Sequence, residues 1–104
     1  MKKVAVVVTD LVEDVEFVDP VNAIREAGHE VTVIGFEKNT VAGKHGTVIT
    51  IDQSIADVQS EDFDALYIPG GFSPDQLRAD QRFVEFTKHF LMTNKLISAL
   101  CHGP

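Results

Sequence analysis

The chain has 104 residues, 44% of them hydrophobic, with one cysteine and a formal net charge of −7. This length suits one small domain with one core, and the even spread of Leu, Ile, Val and Phe excludes a disordered chain. An acidic balance without a Lys/Arg cluster argues against nucleic-acid or anionic-membrane partners, and a lone cysteine excludes an intrachain disulfide, as expected of a reducing, cytoplasmic setting.

Lys3–Thr9 is a β-branched run of the kind found in a strand buried on both faces of a parallel sheet. Its apolar part ends at Thr9-Asp10, too short for a secretory signal or a membrane span. Asp10–Asp14 forms an acidic turn. The spacing of Val15, Val18, Val21, Ala23 and Ile24 predicts a helix from near Asp14, with a kink or fresh start at Pro20 and a stop at Gly28. Glu30–Phe36 reads as a second strand, which completes a right-handed βαβ unit. Val41–Lys44 and Thr47–Ile51 flank His45-Gly46 as a small hairpin.

Ser54–Val58 predicts a helical turn and Ala65–Ile68 a buried strand that ends in the tight turn Pro69-Gly70-Gly71. Ser73-Pro74 offers an N-cap and a first-position proline for a short helix at Gln76–Ala79. Gln81–Met92 is a longer helix with Phe83, Phe86, Phe90 and Leu91 on one face, closed by Asn94. Leu96–Leu100 is a last strand running into Cys101. No repeat, low-complexity segment or linker divides the chain, so residues 1–104 read as a single α/β domain.

In an open α/β sheet, ligands bind at the C-terminal ends of the strands. Three polar features fall there: Asp10–Asp14, Gly70-Gly71 and Cys101-His102. Ala99-Leu100-Cys101-His102-Gly103 has the small-x-nucleophile-x-Gly pattern of a nucleophile elbow, which favours a reactive thiol over a buried structural cysteine. The pair Gly70-Gly71 fits either an oxyanion-hole backbone or an ordinary turn. Spacing alone leaves Glu13 in a solvated acidic run with Asp10, Asp14 and Glu16. His102 adjoins the thiol in sequence, yet neighbours at an elbow usually point apart, so it serves as a base only if a carboxylate orients it. His29, His45 and His89 lack metal-ligand spacing and are expected in surface or core roles. Neither a metal nor a cofactor is expected.

The stretches Val12-Glu13-Asp14-Val15-Glu16, Glu26-Ala27-Gly28-His29-Glu30-Val31, Gly43-Lys44-His45-Gly46, Asp62-Phe63-Asp64-Ala65-Leu66, Pro69-Gly70-Gly71 and Cys101-His102-Gly103-Pro104 together resemble the PfpI family of intracellular cysteine proteases and stress proteins. That family lies in the superfamily of the Parkinson-disease-linked deglycase, with a class I glutamine amidotransferase-like fold. The resemblance implies a flavodoxin-like three-layer sandwich with a mostly parallel sheet, of which this chain carries the N-terminal portion, the C-terminal part being absent. It implies Cys101 as the reactive cysteine, Glu13 as the buried glutamate contacting it, Gly70 and Gly71 as the oxyanion turn and His102 as the thiol's partner. Asp75 matches an acidic residue that reaches a neighbouring subunit; a Glu is familiar there, so the reach is shorter. The implied activity is cysteine-dependent hydrolysis at a carbonyl centre, as a peptidase or as a protein or methylglyoxal deglycase with a stress-protection role. The alternative is a non-catalytic redox-sensing or chaperone-like stress protein with an oxidisable Cys101. Implied partners are a small carbonyl compound, a glycated protein or a peptide, with a homo-oligomer (dimer or hexamer) at full length.

Overall fold

The structure, a computed structural model, describes residues 1–71 and 73–99. Among the described residues, seven strands and three α-helices follow in the order β1 (Lys3–Val7), α1 (Asp14–Glu26), β2 (Glu30–Gly35), β3 (Thr40–Ala42), β4 (Val48–Thr50), β5 (Gln53–Ser54), β6 (Ala65–Ile68), α2 (Ser73–Arg78), α3 (Gln81–Met92) and β7 (Leu96–Ala99). Five of the strands form one sheet in the order β5-β2-β1-β6-β7, and every pair in it is parallel. β3 and β4 form a separate antiparallel hairpin.

Side chains alternate across a strand, and β1 shows what that does in a sheet covered on both faces. Val4, Val6 and Val8 join Phe17 and Val21 of α1 in one core. Ala5 and Val7 join Leu77, Phe83, Phe86 and Phe90 of α2 and α3 in the other. The result is the expected three-layer sandwich. The hairpin adds Ile49, and Ile51 follows it, on the α1 side. On the α3 side, Phe86 meets Phe63 and Phe90 with ring centroids 6.0 and 5.5 Å apart, and Phe83 meets Phe36 edge-on at 5.1 Å. Lys95 ties the end of this layer down: its Nζ donates to the Phe63 carbonyl at 2.7 Å.

Several local expectations shift for identifiable reasons. α1 runs through Pro20 without restarting. Proline deprives the Glu16 carbonyl of its usual N–H donor four residues on. The Tyr67 hydroxyl, reaching over from β6, donates to that carbonyl instead. The buried face of α1 centres on Phe17 and Val21, with Val18 and Ile24 packed beside them, whereas Val15 is exposed. Gly28 ends the helix as expected: at φ +90° its N–H donates to Arg25 O, and His29 N–H donates to Ile24 O, a Schellman closure. α2 begins at Ser73, earlier than the sequence pattern, and the Ser73 Oγ accepts from Thr9 N–H at 2.9 Å, so its hydroxyl joins the α2 start to the end of β1. α3 has the predicted bounds, with Phe83, Phe86 and Phe90 buried, but Leu91 points outward and is 68% exposed. Two features had no clear sequence signal: the two-residue strand β5 and the 3₁₀ turn Ser60–Asp62.

Candidate functional site

Two of the three predicted polar features meet at the C-terminal edge of the sheet. The loop after β1 crosses the turn after β6 as a one-residue antiparallel bridge between Val12 and Gly71. Glu13 N–H donates to Gly70 O at 3.0 Å. Gly71 has φ +92°, and a Cβ there would sit 2.5 Å from Glu13 N and 2.8 Å from Leu11 O. Only glycine lets the two backbones come this close. Gly71 is therefore a packing device as well as a candidate donor, and the two glycines differ. Gly70 N–H already donates to Glu16 Oε1 at 3.1 Å, which leaves Gly71 as the candidate oxyanion donor of the pair.

Glu16 thus works at both ends. Its carbonyl takes the Tyr67 hydroxyl and its carboxylate holds the Gly70 turn. The Tyr67 phenol is pushed up to about 12, first by burial and then by the nearby Glu16 carboxylate, so it stays a neutral donor across the physiological range.

Glu13 is the N-cap residue of α1, but its side chain makes no capping hydrogen bond. It turns instead to the hairpin turn. Lys44 Nζ and His45 Nε2 lie 3.3 Å from Glu13 Oε2 and Oε1 respectively, and the Glu13 side chain is 21% exposed. The next residue holds that turn in place. Asp14 is buried, and its two carboxylate oxygens accept from His45 N–H and Thr47 N–H at 2.9 Å each. The Thr47 side chain, then the His45 amide, bring its carboxyl down to about 2 against the cost of burial. Gly43 lies so close to this carboxylate that a Cβ would strike it. Lys44 N–H donates to Val12 O and Leu11 N–H to Ala42 O, so hairpin and loop are knitted together through their backbones too.

Cys101 and His102, with the rest of the elbow, lie outside the described residues. β7 pairs in parallel with β6, Ala99 standing beside Ile68, and in sequence each is two residues short of Cys101 and Gly70 respectively. Asp75 lies on α2, half-exposed and paired with Arg78 one turn later in the same chain. His29 sits at the opposite edge of the sheet, where its Nδ1 accepts from Lys2 N–H at 3.0 Å. His45, expected in a generic role, proves to be a neighbour of Glu13, and Lys44, Asp14 and Glu16 join it as residues whose parts the sequence pattern did not assign. The signal available was a lysine and a histidine between Gly43 and Gly46, which marks a tight turn able to carry them to a point. Among the described residues, no group of three or more His, Cys, Asp or Glu is placed to hold a metal ion, and no helix is long and apolar enough to cross a membrane.

Comparison with known proteins matches residues 2–104 to the DJ-1/PfpI family. General stress protein 18 of Bacillus subtilis (strain 168) is 62% identical over 105 residues, an alignment covering 99% of this chain and 61% of that protein. Protein/nucleic acid deglycase 2 of Escherichia coli (strain K12) is 51% identical, covering 99% of this chain and 61% of that protein. The solved structure of oxidized DJ-1 from Toxoplasma gondii superimposes with a TM-score of 0.91 at 31% identity, covering 100% of this chain and 58% of that one. The chain therefore spans about three-fifths of the length of the curated relatives it matches.

Proposed function

The chain belongs to the DJ-1/PfpI family, and from that membership we propose that the whole protein is a cysteine-dependent hydrolase acting at a carbonyl centre. The observation that carries this reading is the crossing of the Glu13 loop on the Gly70-Gly71 turn at the C-terminal edge of the sheet. It brings a carboxylate and a glycine backbone to the edge toward which β7 runs. In the proposed reaction the Cys101 sulfur adds to the substrate carbonyl carbon, and the carbonyl π electrons move onto oxygen. Gly71 N–H stabilises the resulting oxyanion, and Glu13 carries the proton between sulfur and substrate. His102 assists the thiol, and Asp75 contributes only in a homo-oligomer.

The substrate we propose is a small 2-oxoaldehyde or the glycated protein derived from it. The deglycase name of the Escherichia coli relative supports this choice, and a peptide is the remaining candidate. The experiment is methylglyoxal consumption by the full-length protein, comparing wild type with Cys101→Ser and Glu13→Gln. Glu13→Gln is expected to lose at least about 100-fold in rate, the scale for removing an acid/base group, and Cys101→Ser, which removes the nucleophile, at least as much. Rates equal to wild type would sink the hydrolase. A second reading is supported by the stress-protein name of the Bacillus relative and by the oxidized state of the Toxoplasma structure. In it, Cys101 is a peroxide-sensitive thiol without turnover. Peroxide-dependent mass gain at Cys101 in a protein that turns over no carbonyl substrate would favour that reading.

A further inference from the structure

A lysine and a histidine from one hairpin turn converge on one carboxylate, and the adjacent carboxylate accepts from the backbone of that turn. We propose that Lys44 and His45 are positioning residues that set the Glu13 carboxylate in its working place, an inference that rests on the role given to Glu13 above.

A glutamate side chain has three rotatable bonds and is longer than the Asp, Asn, Ser and Thr side chains that cap helices, and Glu13 makes no capping hydrogen bond. Each of its oxygens faces a different hairpin side chain at 3.3 Å, so rotation about any of those bonds breaks at least one contact. The clamp has a rigid mounting. His45 and Thr47 are held through their backbone N–H groups by Asp14, and Lys44 is held through its own N–H by Val12 O. Because Glu13 and Asp14 are consecutive, the same short stretch carries the positioned group and the anchor of its positioners. Lys44 and His45 are more exposed than Glu13, with side-chain exposures of 33% and 66% against 21%, so the carboxylate lies further in than the two side chains that contact it.

The consequence is a coupling. If Lys44 acts only through Glu13, removing Lys44 matters while Glu13 is present and not after it is gone. The test is a double-mutant cycle in the full-length protein with Lys44→Met, Glu13→Gln and both together, plus His45→Gln and the conservative Lys44→Arg. The readouts are kcat and KM for methylglyoxal and the rate of Cys101 alkylation by iodoacetamide at neutral pH. Lys44→Met is expected to lower kcat about tenfold with KM unchanged within about twofold, because a displaced acid/base group costs the transition state rather than ground-state binding. Lys44→Arg restores most of the loss, His45→Gln gives a smaller loss of the same kind, and Lys44→Met adds less than about twofold in the Glu13→Gln background. The alkylation rate follows the same non-additive pattern. If the Lys44→Met effect is undiminished in the Glu13→Gln background, or if Lys44→Met is silent where Glu13→Gln is not, the positioning role is overturned and the hydrolase reading stands. If Cys101→Ser and Glu13→Gln leave turnover at the wild-type rate, and Glu13→Gln leaves alkylation unchanged, the hydrolase reading falls and takes this inference with it.

Discussion

Replacing Tyr67 with Phe tests whether the β6 hydroxyl repairs the damage Pro20 does to α1. The Tyr67 ring is 5% exposed and sits in the core between sheet and helix, so Phe keeps the packing and removes only the hydroxyl. The Glu16 carbonyl then loses the donor that stands in for the N–H missing at Pro20. An unsatisfied buried carbonyl costs about 1–3 kcal/mol, and the half-buried position of Glu16 places this one at about 1–2 kcal/mol. With a urea m-value of about 2 kcal/mol/M, the unfolding midpoint of the full-length protein should fall by about 0.5–1 M. In a Pro20→Ala background the helix regains its own N–H, and the same Tyr67→Phe change should cost less than about 0.5 kcal/mol. Equal costs in both backgrounds would refute the repair. The pH dependence gives a second check. The folded phenol titrates at about 12 against the ordinary 10.0, so between those values the folded protein keeps a proton that the unfolded chain loses. Stability of the wild type therefore falls as pH rises through that window. Phe has no such group, so the gap between wild type and Tyr67→Phe should narrow from pH 10 to 12.

Other expectations follow from single contacts. Gly71→Ala forces a side chain into positive φ and against the Glu13 backbone. It should cost about 2–4 kcal/mol of stability and disrupt the Glu13 loop, read as a lowered Tm together with lost turnover. Asp14→Asn removes a carboxyl held at about 2 rather than the usual 3.8, whose stabilisation is present above about pH 4 and is lost as pH falls toward 2. Tm measured against pH should show the variant below wild type near neutrality and the two curves converging toward pH 2. Phe90→Ala empties a fully buried site between Phe86 and the sheet and should cost about 3–5 kcal/mol in chemical denaturation, without touching the Glu13 cluster.

The amino-acid order by itself determined the layers. β-branched runs such as Val4–Val8 cannot be covered on one face only, and the phenylalanines of α3 recur at helical spacing, so a parallel sheet between helices follows from short-range pattern. Pattern also placed Gly28 at the end of α1 and the glycine pair at the end of β6, because those residues answer to local backbone geometry. Glu13 was different. In sequence it is one acid among several in a charged loop, and it emerged as a candidate only through resemblance to a family. What distinguishes it is a hairpin some thirty residues later whose turn brings Lys44 and His45 to its two oxygens. The same holds for Asp14, buried by amides from that hairpin, and for Glu16, whose carbonyl and carboxylate serve Tyr67 and Gly70 from β6 and its turn. Local spacing reports which face of an element is apolar. It cannot report which distant backbone will bring a donor to a given carboxylate, because that depends on how the loops cross, and here the crossing depends on the absence of a single Cβ at Gly71.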